Sequence, residues 1–319
     1  MRVLITGSKG LIGSALQQAL ELLNFDVIGF DKKFEKMHPN YGDILNSDKL
    51  SQIVEKVDGI VHLAAVSRVI EGERNPQLCW ETNVDGTNNI VNIALASKKK
   101  PWIIYASSRE VYGQQKEFPV KECAPLEPVN IYGESKLKAE QIIQRAAEKN
   151  LQVSIVRFSN VFGSIHDYHD RVVPAFCLAA VDGNDIRVDG KEHLFDFTYI
   201  EDVIHGILSL IYQLIKKKES LPPMHLTRGI PVSLSQIAEI AKKASSHPLK
   251  IVEGISRSFD VSKFWGDTSR TKEILNWKAE ITIEEGMHRL INQYRIFEKV
   301  KKSSSGAELV SAEDLLLVP

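Results

Sequence analysis

The first 31 residues, MRVLITGSKGLIGSALQQALELLNFDVIGFD, constrain the fold more than any other stretch of the chain. Arg2 to Thr6 is a short apolar run rich in β-branched residues, the pattern of a strand buried on both faces. Gly7, Gly10 and Gly13 follow, and Leu11 to Leu23 then carries apolar residues at helical spacing. A second apolar run, Val27 to Phe30, ends in Asp31. A strand, a glycine turn, a helix and a strand closed by an acid make the first half of a dinucleotide-binding fold.

Each part has a physical reason. Gly7 permits the tight turn that leaves the strand, Gly10 lets backbone approach a pyrophosphate, and Gly13 lets the helix lie close to the sheet. The free N–H groups at the helix start, around Leu11 and Ile12, face the phosphate charge. Asp31 accepts hydrogen bonds from ribose hydroxyls and repels a 2′-phosphate, which favours NAD over NADP. Lys32 and Lys33 pull the other way.

A chain of 319 residues can bury a large core as one domain or two lobes. Its 40 basic and 41 acidic residues nearly cancel, so no bulk field favours nucleic acid or an anionic membrane. No apolar run approaches membrane-spanning length. A core strand at the very start leaves no room for a signal peptide, and a cytoplasmic protein is expected. Cys79, Cys123 and Cys177 are odd in number and widely spaced, which suits reduced thiols rather than a metal site.

Further along, Gly59 to Ala65 and Pro101 to Ser107 read as buried strands, with a long helix expected from Gln77 to Ser97 behind Pro76. His62 lies inside the first of these strands as a packed core residue. Helices are expected at Ser47–Val57 and at about Ile131 to Lys149, then a strand from Gln152 to Arg157. Beyond Gly163 the regular alternation weakens, which marks a second lobe. Helices are expected there from Asp170 to Val181, Ile200 to Lys216, Ser233 to Ala244, Asp267 to Leu275, and Ile283 to near Glu298. The polar, then apolar, residues 301–319 read as a tail.

Two stretches carry chemistry. Ser107-Ser108-Arg109-Glu110-Val111-Tyr112-Gly113 stands at the C-terminal end of a strand, where open parallel sheets bind ligands. Tyr132-Gly-Glu-Ser-Lys136 opens a helix and puts Tyr132 and Lys136 on one face, a turn apart. For a tyrosine to act as a base near neutrality, its phenolate must be favoured by about three units, or ~4 kcal/mol. A lysine ammonium and the positive nicotinamide ring of NAD+ have the required sign. Ser108 can hydrogen-bond the same substrate oxygen.

The G-x-x-G-x-x-G spacing differs from the G-x-G-x-x-G of the usual dehydrogenase fingerprint. Together with S-S-x-x-V-Y-G and Y-x-x-x-K, it resembles the extended short-chain dehydrogenase/reductase family, which contains the nucleotide-sugar epimerases and dehydratases. The likeness covers about residues 1 to 295 and implies a Rossmann-type doubly wound parallel α/β sheet with a smaller C-terminal α/β substrate lobe. The implied division is 1–163 for the NAD-binding domain, with 196–227 returning to it, and 164–195 with 228–300 for the substrate lobe.

The resemblance also assigns roles. Tyr41-Gly42-Asp43-Ile44 resembles the segment whose acid and apolar residue flank the adenine, although Asp43 could instead cap the helix at Ser47. His62-Leu63-Ala64-Ala65 is similar to a family hallmark at the cofactor's edge. Asn83, in N-V-x-G-T, supports the neighbouring strand's backbone. Arg157, Asn160 and Gly163 match R-x-x-N-V-x-G, whose asparagine contacts the substrate. Val173-Pro174 resembles the segment over the nucleotide base, and Arg257 resembles an arginine that pairs with a diphosphate. One departure stands out: where the family carries a phosphate-binding arginine before Asp-Phe, this chain has Phe195, so Arg257 with Arg187 or Arg171 must serve, or the substrate is atypical.

Ser108, Tyr132 and Lys136 are therefore the expected catalytic set, acting on a nucleotide diphosphate sugar. Glu110 matches the glutamate of 4,6-dehydratases and decarboxylases, but the dehydratase's preceding aspartate is Arg109 here, a residue suited to a substrate carboxylate. The reading favoured is 4-epimerisation through a transient 4-keto sugar, with dehydration or uronic-acid decarboxylation next. A reductase or a non-catalytic NAD(H) sensor comes third. His166, Asp167, His169 and Asp170 lie in a polar loop beside the cleft, and no metal is expected. The helices at 77–97 and 131–149 are expected to pair with their copies in a homodimer, and the family suggests a role in polysaccharide synthesis.

Overall fold

The computed structural model describes residues 1–255 and 261–304. The chain first lays down β1 (Arg2–Thr6), β2 (Asp26–Phe30), β3 (Gly59–His62), β4 (Trp102–Ser108) and β5 (Val153–Phe158). It then forms β6 (Asn160–Phe162), β7 (Ile186–Asp189) and β8 (Leu194–Tyr199), returns as β9 (Met224–His225), and ends with β10 (Pro231–Ser233), β11 (Ile251–Gly254) and β12 (Lys263–Phe264). The main sheet is parallel in the order β2-β1-β3-β4-β5-β9. A lone parallel bridge from Asp31 to Tyr41 extends it past β2. Strand order reverses at β1, the point where such sheets take a ligand. β1 is buried on both faces: Val3 and Ile5 enter one core cluster and Leu4 the other.

The helices are α1 (Leu11–Leu22), α2 (Ser47–Val54), α3 (Val69–Arg74), α4 (Pro76–Trp80), α5 (Gly86–Ala96), α6 (Ile131–Glu148), α7 (Val172–Asp182), α8 (Ile200–Lys217), α9 (Leu234–Ala244), α10 (Ser269–Leu275) and α11 (Ile283–Ser304). The second lobe holds β10-β8-β12, with β6 also on β8, and a separate β7–β11 pair. Segment 196–227 is divided: β8 belongs to the second lobe, whereas α8 packs on α1 and β9 completes the main sheet. No helix among the described residues is long and apolar enough to cross a membrane.

Three sequence expectations need correction. The helix expected from Gln77 to Ser97 is interrupted by a π-helical turn, Glu81–Asp85, between α4 and α5. This wider turn carries Asn83 inward, where its Oδ1 accepts from Val66 N (2.8 Å) and its Nδ2 donates to Ser135 Oγ (2.9 Å). Helical periodicity does not register one such insertion. α2 stops at Val54 and is capped by Asn46, not Asp43, whose carboxylate instead accepts from Leu45 N at 3.0 Å. α11 continues past Glu298 to Ser304.

The glycine loop is held by backbone contacts. Gly7 has φ +74°, and a Cβ there would lie 2.7 Å from Ala64 N. A Cβ on Gly13 would lie 2.2 Å from the Gly7 carbonyl oxygen, with no flexible side chain to give way. Gly13→Ala must open the loop, so we expect a lower melting temperature and at least tenfold weaker NAD binding by calorimetric titration. Unchanged affinity would show that the loop is not the phosphate cradle.

Candidate active site

A cavity of about 470 Å³ opens at the C-terminal ends of β1, β3 and β4, against the second lobe. The glycine loop (Gly7, Gly10, Leu11, Ile12, Gly13) forms one wall, and Asp31 stands at one end with Asp43 and Ile44. Leu63, Ala64 and Ala65 line the middle, and Ser108, Tyr132 and Lys136 the far part. Asp31 Oδ2 accepts from Lys9 N and Oδ1 from Lys33 N, both at 2.9 Å, which fixes the carboxylate and leaves lone pairs for further donors.

Tyr132 enters from the first turn of α6, which Asn130 caps by accepting from Gly133 N at 2.8 Å. Burial pushes its phenol up to about 12, while the facing Ser108 hydroxyl and the Arg171 charge oppose that rise. Lys136 is fully buried and donates to the Ala106 carbonyl at 2.8 Å. Burial lowers its ammonium to about 8, against an upward pull from Cys79 and Glu140. The protein alone therefore does not favour the phenolate. A positive ring beside Tyr132 is the charge that is missing.

Glu110 is buried but engaged: Asn130 Nδ2 donates to Oε2 at 2.9 Å and Arg109 pairs with Oε1 at 3.0 Å. The Arg109 guanidinium lies 4.3 Å above the Phe195 ring. Below the site, Arg157 makes a bidentate pair with Glu140 (2.9 and 2.7 Å) and donates to Tyr112 Oη at 2.6 Å. His62 sits between Thr6 and Thr87, and burial drives its pKa down to about 3, which makes it a core group.

Of the remaining candidates, Arg171 lines the cavity, whereas Arg109, Glu110, Asn83, Asn160, Val173 and Arg187 are not among its lining residues. Asn83 stands behind it and connects to it through Val66 and, by way of Ser135, through Tyr132. Val173 is buried in the core on α7, so its side chain offers no surface to a base. Asn160 lies on β6 beside Phe197, next to the lining residues Ser159 and Val161. Arg187 is exposed and pairs with Asp189 at 2.8 Å, whereas Arg171 lines the cavity. Arg257 lies outside the described residues. Sequence reading missed Tyr168, which also lines the cavity and meets Lys33, Arg68 and Arg171 with its ring at 5.4, 4.9 and 5.4 Å. A polar loop gives no periodic signal for such a cluster.

The glycine cradle, the fixed Asp31 and the Ser108–Tyr132–Lys136 group along one cavity fit a nicotinamide dinucleotide. Residues 3–220 match the NAD dependent epimerase/dehydratase family. The chain belongs to that family. It is 28% identical over 313 residues to a UDP-glucose 4-epimerase of Lactobacillus helveticus, covering 88% of this chain and 92% of the relative. It is also 28% identical to UDP-glucuronic acid decarboxylase 1 of Arabidopsis thaliana, over 92% of this chain and 70% of that one. A solved UDP-glucose 4-epimerase from Thermotoga maritima superposes with a TM-score of 0.85 at 24% identity, covering 94% of this chain and all of that one. The protein is an NAD-dependent enzyme of the epimerase/dehydratase type.

The buried lysine has a consequence for stability. Lys136 has a lower pKa folded than unfolded, so the folded state binds fewer protons between about 8 and the unfolded value near 10.5. Its contribution to stability rises with pH across that window, and below it the buried ammonium destabilises the fold in full. Lys136→Met should raise the melting temperature at pH 7 by at least about 2 °C while abolishing turnover. A fall in melting temperature, measured calorimetrically, would contradict this.

Proposed function

We propose that the protein is a nucleotide-sugar 4-epimerase that works through a transient 4-keto sugar. The observation that carries this reading is the contrast between two sets of groups. Ser108, Tyr132 and Lys136 line one cavity, while Glu110, the residue at the place of the dehydratase and decarboxylase glutamate, is not among the lining residues and is held between Arg109 and Asn130. A 4,6-elimination needs a base for the C5 proton and an acid for the departing hydroxyl. Arg109 occupies the place of the acid, and both Glu110 oxygens already accept hydrogen bonds or ion pairs. The relatives' names, a UDP-glucose epimerase and a UDP-glucuronic acid decarboxylase, support UDP as the nucleotide.

Bound NAD+ supplies a two-electron acceptor, and its positive ring adds to Lys136 in favouring the Tyr132 phenolate. Tyr132 takes the proton from O4 of the sugar, and Ser108 holds the same oxygen by a hydrogen bond. The sugar then turns its opposite face, and Tyr132 returns the proton to O4 with inverted configuration at C4. The asparagine-capped start of α6 and the Lys136 bond to Ala106 keep the phenol and ammonium at fixed positions while the sugar moves. We also propose a homodimer that pairs α6 and the α4–α5 segment with their copies, with the exposed Trp80 on α4 part of the covered face. A monomer by light scattering at micromolar concentration would overturn it.

Purified protein given NAD+ and UDP-sugars should yield a product of unchanged mass with an altered C4 coupling in proton NMR. Tyr132→Phe should retain NAD and lose roughly 100- to 10,000-fold in kcat. A product that has lost water or carbon dioxide would replace this reading with a lyase.

A further inference from the structure

Residues 164–171, between β6 and α7, contribute His166, Asp167, Tyr168 and Arg171 to the cavity lining and reach across to the first lobe. Tyr168 meets Lys33, whose backbone N–H holds Asp31 at one end of the cavity, and Arg68, which follows the Leu63–Ala65 wall. Arg171 donates to Ser67 Oγ at 3.3 Å, and its charge acts on Tyr132 in the far part of the cavity. Arg68 also pairs with Asp170. The segment therefore runs along the cavity between the phenol and Asp31, as a strap.

All of these ties are made by side chains of the strap. Its backbone hydrogen bonds are local, from Asp167 N to Ser164 O at 3.2 Å and from Arg171 N to Tyr168 O at 3.0 Å. None reaches the first lobe among the described residues. Contacts between partly exposed side chains break and re-form without unfolding any backbone, so a strap held in this way opens more readily than the sheet beneath it. Tyr168 is 38% exposed and shares its ring among three cations, which makes it the point where most of the ties meet.

Asp167 is a second, independent sign that the strap closes on a ligand. It is 5% exposed and lines the cavity, and its Oδ2 has no hydrogen-bond partner among the described residues. An ionised carboxylate can only accept, so the buried oxygen calls for a donor. The ribose hydroxyls of a dinucleotide are donors of that kind.

We propose that residues 164–171 are a strap that closes the dinucleotide into its cavity, and that Tyr168 is its latch. NAD enters and leaves when the Tyr168 ring lifts from Lys33 and Arg68. The strap requires the cofactor site alone, so failure of the 4-epimerase reading leaves it standing.

A latch differs from an ordinary contact in its kinetics. A contact with bound cofactor slows release alone, whereas a latch closed in the free protein slows entry as well. Entry and release of radiolabelled NAD+ can be followed by rapid filtration, with release measured into excess unlabelled NAD+. Tyr168→Ala should speed release at least about tenfold and entry at least about threefold. Tyr168→Phe, which keeps the ring, should stay within about threefold of the wild type in both. Arg68→Gln removes one cation and the Asp170 pair while leaving Tyr168 in place, and should speed both rates to a smaller extent. It carries the test alone where Tyr168→Ala does not fold. Faster release with unchanged entry would make Tyr168 an ordinary cofactor contact and overturn the strap. Unchanged release in Tyr168→Ala and Arg68→Gln, or a Tyr168→Phe variant as fast as Tyr168→Ala, would overturn the latch.

Discussion

The buried ion pair between Arg157 and Glu140 holds the reaction centre in place. Glu140 lies on α6 one turn below Lys136, which is one turn below Tyr132, so a single helix face carries all three. Arg157 on β5 grips both Glu140 oxygens and also binds Tyr112 Oη, which in turn meets His225 Nε2 on β9 at 2.7 Å. Ser107 on β4, next to Ser108, donates to the same carboxylate at 2.5 Å. Strands β4, β5 and β9 are thus fastened to the helix that carries Tyr132 and Lys136. Removing one partner would leave a buried charge unpaired, at a cost of about 3–5 kcal/mol.

Given that rigid frame, the electrostatics of the site are those of an incomplete constellation. Burial raises Tyr132 to about 12 and lowers Lys136 to about 8, so in each case it works against the charged form that chemistry requires. A water-excluded cavity makes an added charge count for more than it would in solvent. A positive nicotinamide ring would meet there a phenol already positioned by the start of α6 and by Ser108. Groups whose charged forms are disfavoured by burial in the free protein are the ones arranged to respond to an added charge, and the stability lost is the usual cost of such a site.

Much of this was legible in the sequence, for identifiable reasons. The strand–glycine–helix–strand opening has a fixed period change and a fixed set of close contacts, so Gly7, Gly13 and Asp31 stand where spacing alone puts them. Tyr132 and Lys136 are local to one helix and needed only its periodicity. What escaped depends on contacts between distant segments. The π turn at Glu81–Asp85 comes from Asn83 bonding the backbone of Val66, 17 residues away. Glu140 read as an ordinary helix acid because Arg157 lies on another strand. Tyr168 gained its three cations only when 33, 68 and 171 were folded onto one ring.

Phe195 illustrates how a change in one residue is answered by a residue far from it in sequence. Read along the chain, it is a lost cation, and it counts against an anionic substrate. In space, the same ring supports the Arg109 guanidinium across the seam between the two lobes. An aromatic ring of this kind holds a desolvated cation by about 1–2 kcal/mol without competing for its N–H donors. An arginine at the same position would have placed two guanidinium groups face to face and repelled Arg109. The cation at this seam is therefore carried by the residue that follows β4, and β8 supplies the ring beneath it. A position that carries no charge in sequence thus helps to hold a buried charge at the seam between the two lobes.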